Sequence, residues 1–237
     1  MTAAERTAAM DIEHEPATSV PEPLRRDVRL LGDTLGEVLR ESGGDELLAD
    51  VERLRVAVIA ARRGASPTTA DDVAEIVAGY DLDRAEQVAR AFTVYFHLVN
   101  LAEERHRVRA LRDQGQAAGA VRGSLAAAAL GLIDAEGADA VGELVGRLRV
   151  QPVLTAHPTE ARRRAIVSAI VRAGEQLDRF DDPRAATAEL ADARRHLLEE
   201  VSILWRTAQL RSTRPSPLDE VRTAMSVFDE TLVRVVP

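Results

Sequence analysis

From Pro23 onward, apolar residues recur at steps of three and four, the spacing that places them on one face of a helix. Val28, Leu31, Leu35, Val38 and Leu39 form the first such face, and Gly43-Gly44 ends it. Asp45 is placed to cap a second helix, whose inner face is Leu47, Val51, Leu54, Val58 and Ala61 and which Gly64 stops. A Ser66-Pro67 turn leads to a short helix over 70–78, and Asp81 opens a long one running to about residue 113. Phe92, Tyr95 and Phe96 lie in its middle at helical spacing, which predicts a packing seam rather than a cofactor box. Residues 114–123 read as a loop of small side chains. Ser124 caps an alanine-rich helix to about residue 134, and another follows over 138–149 with Val141, Leu144, Val145 and Leu148 inward.

At Val150 the pattern changes. Val150, Val153, Leu154 and Thr155 suit a short buried strand, since Pro152 would break a helix interior. One strand cannot satisfy its own backbone donors and acceptors, so its partners must come from another chain or from sequence outside these 237 residues. Helical periodicity then resumes to about residue 177, and Asp181-Asp182-Pro183 makes a turn. A long helix carries Leu190, Ala193, Leu197, Val201, Leu204 and Ala208, with Trp205 at its far end as an interface anchor. After Arg214-Pro215, Ser216 caps a last helix with Pro217 at its first position and Asp219 at its third, through Val221, Met225, Phe228 and Leu232. The expected architecture is mainly α. It divides into a polar, disordered tail over 1–21, a helical region over 22–149, and a strand, a histidine-bearing loop and further helices over 150–237.

Composition narrows what such a chain can do. With apolar residues at 46% and aromatics at 3%, the core must be built from Leu, Val and Ala. A net charge of -8 argues against a nucleic-acid partner, which needs a basic face to displace counterions. There is no cysteine, and all 31 basic residues are arginine, so thiolate chemistry, a Schiff-base lysine and a phosphate loop ending in lysine are excluded within the chain. No apolar run reaches the roughly 18 residues of a membrane span and no signal peptide is evident, so a cytoplasmic protein with no membrane partner is expected.

The chemistry concentrates in Gln151–Ala165, QPVLTAHPTEARRRA. Pro158 keeps His157 out of the α region and itself favours a first helical position, which makes His157 the expected N-cap where strand gives way to helix. Free amide N–H groups and the helix dipole at such a point attract anions and keep an imidazole neutral. Arg163 and Arg164 add positive charge one turn on. A base beside an anion pocket is therefore available, but from spacing alone a structural cap with a solvated arginine turn is the simpler account. Glu103 and His106 have the spacing of half a di-iron site, with no second copy to complete it. His14, His97 and His196 have no triad or metal spacing.

The residues also carry a resemblance. VLTAHPTEARRR resembles the histidine signature of the phosphoenolpyruvate carboxylase family. LWRTAQLRSTRPSPLDEVR, with Trp205, Thr207, Arg211, Pro215, Pro217, Asp219 and Glu220, is similar to the family's second landmark, and TLVRVVP to a stretch that follows it. LRRDVRLLGDTLGEVLRE and YFHLVNLAEERHRVR resemble its N-terminal helices, so the likeness runs from about Leu24 to Pro237. The resemblance implies a helical array around an αβ barrel of which this chain holds only the first strand, assembled as a homotetramer. It implies a lyase that joins phosphoenolpyruvate and bicarbonate to give oxaloacetate and phosphate with Mg²⁺ or Mn²⁺, with His157 catalytic and Arg163 and Arg164 as phosphate-side support. Two departures accompany it. Ala208 and Gln209 stand where an acidic pair is expected, and the glycine-rich loops, catalytic lysine, acidic metal ligands and inhibitor sites are absent, so no metal ligand is assigned in this chain. The expectation is an N-terminal portion, inactive alone; the alternative is a helical scaffold or partner-binding fragment without catalysis.

Overall fold

The computed structural model describes residues 20–63, 69–118, 120, 121, 123–149, 151, 163–209, 216–229 and 233. These residues form helices α1 (Glu22–Arg63), α2 (Ala70–Ala78), α3 (Leu82–Ala118), α4 (Leu125–Glu136), α5 (Ala138–Arg147), α6 (Arg164–Phe180), α7 (Thr187–Arg206) and α8 (Pro217–Val227). The expected mainly-α class holds, and among the described residues there is no strand. The expected strand at Val150 and Val153–Thr155 and the tail over 1–19 lie outside the described residues.

Helix α1 is long because its two predicted halves join across a bend. Gly44 stands at φ 76°, ψ 176°, outside helical space and in a region that side chains with a Cβ avoid. A Cβ on the adjacent Gly43 would lie 2.5 Å from the Leu47 side chain, so this glycine is needed for room rather than for its dihedrals. Asp45 does not cap the second half; its carboxylate accepts from Arg40 Nε at 3.1 Å across the bend. Elsewhere the predicted caps form. Ser124 Oγ accepts from the Ala127 amide at 3.1 Å, and Ser216 and Asp219 make a reciprocal capping box with Pro217 at the first position. Thr69 and Asp72 form another such box on α2.

The core is shared by α1, α3, α6 and α7. Helix α1 packs on α3 and α7, α6 packs on α7, and α3 also reaches α6 and α7. Leu31, Val38, Leu39, Leu47, Val94, Leu98, Ile166, Leu177, Leu197, Val201 and Leu204 are all enclosed. Each such side chain is worth about 1.5–3 kcal/mol on burial. Tyr80 anchors the α2–α3 turn to α1, its hydroxyl donating to the Asp50 carbonyl at 3.2 Å. The aromatic seam on α3 is partly as expected: Phe92 and Tyr95 pack against the core, but Phe96 is exposed and meets Tyr95 edge-on.

Two corrections concern the later helices. Of the four residues expected inward on α5, only Val141 is buried, while Leu144, Val145 and Leu148 face outward. Helix α8 likewise leaves Val221, Met225 and Phe228 exposed. Periodicity identified these apolar faces correctly, but no described element covers them.

The bend supplies a test of the α1 geometry. Gly44→Ala should lower unfolding free energy by about 1–3 kcal/mol, the cost of holding a Cβ residue in that dihedral region, as read by denaturant unfolding.

Candidate functional site

His157 and the Thr155–Glu160 signature lie outside the described residues, as do Arg211 and Pro215 of the second landmark. What the structure gives is the frame on which both stretches are mounted. Helix α6 opens at Arg164, with Arg163 extended at φ -74°, ψ 139° as its N-cap. The cap of α6 is Arg163, which offers no capping side-chain bond to the first turn; the cap expected at His157 lies outside the described residues. Arg163 is half-buried and Arg164 exposed, so both guanidinium-bearing residues stand at the positive end of the α6 dipole.

A chain of ion pairs fixes where α6 lies. Asp27, near the start of α1, is completely buried, yet it carries a carboxylate. Arg109 of α3 donates through Nη2 to Asp27 Oδ2, and Arg26 donates to Asp27 Oδ1 at 3.0 Å from Nη2 and 3.1 Å from Nε. The same two arginines hold Asp181, just past the end of α6: Arg26 Nη2 to Oδ1 at 2.5 Å and Arg109 Nε to Oδ2 at 2.5 Å. One turn earlier, Arg105 donates to the Gly174 carbonyl at 2.8 Å and to Asp178. A Cβ at Gly174 would come within 3.2 Å of Leu101 and 3.4 Å of Arg105 Nε, so α3 and α6 touch closely here. On the other side, Arg172 makes a two-pronged bond to Glu200 of α7 at 2.6 and 2.7 Å.

Burial pushes the Asp181 carboxyl up, but hydrogen bonds from Arg109 and then Arg26 more than offset it, leaving it below the usual carboxylate range. A depressed folded pKa stabilises the fold above the unfolded value of about 3.9, and that contribution disappears as pH falls through the lower folded value.

The second landmark is held from α3. Trp205 is buried at the end of α7, and the Arg90 guanidinium lies 5.8 Å from its ring centroid. Of the two departures from the expected acidic pair, Ala208 is exposed. Gln209 bridges: His97 Nε2 and Gln209 Oε1 are 3.1 Å apart, and Gln209 Nε2 donates to the Leu204 carbonyl at 3.3 Å. His97 had no assignable partner in the sequence because Gln209 lies 112 residues away. Asp27 was missed for the same reason, being one charge within an otherwise helical pattern.

Glu103 is exposed, His106 is half-buried, and among the described residues no three His, Cys, Asp or Glu side chains come together as a metal site. His196 lies half-buried on α7, and His14 is outside the described residues.

Comparison with known proteins places these features. The family model for phosphoenolpyruvate carboxylase matches residues 24–237. The chain is 35% identical over 216 residues to a phosphoenolpyruvate carboxylase of Rhodopseudomonas palustris, covering 90% of this chain and 23% of that relative. It is 35% identical over 218 residues to one from Mycobacterium leprae and 34% identical over 218 residues to one from Azorhizobium caulinodans, in each case 91% of this chain and 23% of the relative. The chain thus spans less than a quarter of the length of these relatives.

Removing one of the two cations on the buried carboxylate should be costly. Arg109→Met is expected to cost about 2–3 kcal/mol, because Asp27 then stays buried with only the more exposed Arg26 beside it. A double-mutant cycle with Asp27→Asn, read by chemical denaturation, should recover a large part of that loss. Asp181→Asn should flatten the loss of stability below about pH 4 while changing little of the slope above it, measured as midpoint against pH.

Proposed function

Because the chain belongs to the phosphoenolpyruvate carboxylase family, we propose that it provides the N-terminal, histidine-bearing part of an enzyme that carboxylates phosphoenolpyruvate with bicarbonate. The observation that carries this reading is the TAHPTE core at 155–160, within a match that runs from residue 24 to residue 237. Bicarbonate oxygen attacks the phosphoryl phosphorus, the enol C–O–P bridge breaks at phosphorus, and carboxyphosphate and an enolate result. Carboxyphosphate then divides into CO₂ and phosphate, and the enolate carbon takes up CO₂ to give oxaloacetate. His157 assists the middle step: a neutral imidazole accepts the carboxyl proton of carboxyphosphate as its C–O bond breaks. Arg163 and Arg164 are the phosphate-side support, and their place at the start of α6, where amide N–H groups face outward, suits an anion.

The reaction class implies Mg²⁺ or Mn²⁺. The described residues do not fit such an ion, since they gather no carboxylate or imidazole cluster, and the ligands belong in this reading to the part of the enzyme that the chain does not match. The αβ barrel begun at Val150–Thr155, the homotetramer and a cytoplasmic setting are part of the same proposal. For the setting, the supporting fact is that no described helix is long and apolar enough to cross a membrane.

The packed body of α1, α3, α6 and α7 keeps open a scaffolding role without catalysis, and one experiment separates the two. The purified 237-residue chain should form no oxaloacetate by itself. Mixed with the remaining part of the Rhodopseudomonas palustris relative, it should restore phosphoenolpyruvate- and bicarbonate-dependent oxaloacetate formation, followed by coupled reduction to malate. His157→Ala should lower the restored rate by about 10²–10⁴-fold, the usual worth of a positioned proton acceptor. Restored activity that is indifferent to His157→Ala would assign the chain to scaffolding.

A further inference from the structure

Helix α7 ends at Arg206, and Thr207 carries the chain out of it in an extended conformation, φ -90°, ψ 127°. The Ile203 carbonyl takes the Thr207 amide at 3.0 Å. The carbonyls after it have no helical donor, and the Gln209 side chain reaches back to supply one, donating through Nε2 to the Leu204 carbonyl at 3.3 Å. A backbone carbonyl can only accept, so the amide oxygen must face the other way. It faces α3, where Oε1 lies 3.1 Å from His97 Nε2. That oxygen cannot donate either, so the proton of this contact sits on His97 Nε2. One side chain therefore gives to α7 and receives from α3. About two turns earlier on α3, Arg90 lies over the Trp205 ring, so α3 grips the same end of α7 at a second point.

We infer that Gln209 and His97 are positioning residues for the second landmark: together they set the direction in which the chain leaves α7 toward Arg211, and they do so because residue 209 is an amide. The family pattern leads one to expect an acid there, and an acid would serve worse beside these neighbours. A carboxylate has no N–H for the Leu204 carbonyl. It also adds negative charge at the C-terminal end of a helix, where the dipole is already negative. The departure at 209 is thus matched to the histidine opposite it. The use of the landmark in catalysis rests on the functional reading above; the tie between α3 and α7 does not.

The test compares Gln209→Glu, Gln209→Ala, His97→Leu and His97→Gln, in the full 237-residue chain and in its mixture with the remaining part of the Rhodopseudomonas palustris relative. In the chain alone, the His97 imidazole N–H should exchange slowly enough to be seen in proton–nitrogen spectra, and it should vanish in Gln209→Ala. Backbone exchange over 205–209 should rise about tenfold in Gln209→Glu, Gln209→Ala and His97→Leu, the worth of roughly one net hydrogen bond, while α1 and α6 keep their protection. His97→Gln should hold the wild-type value, because its own Nε2 can make the same donation. In the mixture, Gln209→Glu and His97→Leu should lower kcat for oxaloacetate formation about tenfold or more with the affinity of the two parts unchanged, and His97→Gln should restore it. Unchanged exchange over 205–209 in Gln209→Glu, failure of His97→Gln to rescue, or loosening spread evenly over α1 and α6 would each overturn the inference. So would a restored rate that ignores Gln209→Glu. A wild-type mixture that binds but forms no oxaloacetate sinks the functional reading alone, and exchange over 205–209 still decides the tie.

Discussion

Burying one carboxylate organises this molecule. Asp27 has no access to solvent, and an uncompensated charge in such a place would cost several kcal/mol. It is tolerated because Arg109 and Arg26 bring opposite charge to it, and those arginines are in turn balanced by Asp181. The four side chains belong to the start of α1, the far half of α3 and the α6–α7 turn. None of these elements can move independently without stranding a charge. Helix α6, which begins at the arginine pair of the signature, inherits its position from this constraint.

The apolar packing could not fix that position as tightly. Leucine, valine and alanine cores tolerate sliding of helices when total volume is kept, whereas a forked guanidinium–carboxylate contact has one geometry. Contacts at Gly174 and between Arg172 and Glu200 add two further restraints along α6. Three kinds of contact thus act on one helix: charge at its end, close backbone approach in its middle, and a forked pair toward α7. At the second landmark a side-chain bridge, His97 to Gln209, does comparable work between α3 and the segment after α7.

Much of this was readable from residue order, and the remainder was not, for identifiable reasons. Caps and breaks are local, so Ser124, Ser216 with Asp219, and the glycines at 43–44 announced themselves within a few residues. The inner faces of α1 and α7 followed from periodicity, because each has a neighbour to face; on α3 the aromatic seam was read instead of the buried Val94 and Leu98, and for α6 only a helix was read. On α5 and α8 the same periodicity gave an apolar face but could not say whether anything covers it. The described helix α6 caps at Arg163, while His157, read as a cap because of Pro158, lies outside the described residues. The Asp27–Arg109 pair spans 82 residues and leaves no trace in any local pattern. The family signature was legible as a string of letters, while His157 itself lies outside the described residues.

The restraints on α6 are made with arginine throughout, in a chain without lysine. An ε-amine reacts with CO₂ to form a carbamate, which replaces a positive charge with a negative one. A guanidinium stays protonated at any physiological pH and offers no such nucleophile. Arg26, Arg105, Arg109 and Arg172 would keep their charge in the presence of CO₂, so the frame around α6 is chemically inert to that gas.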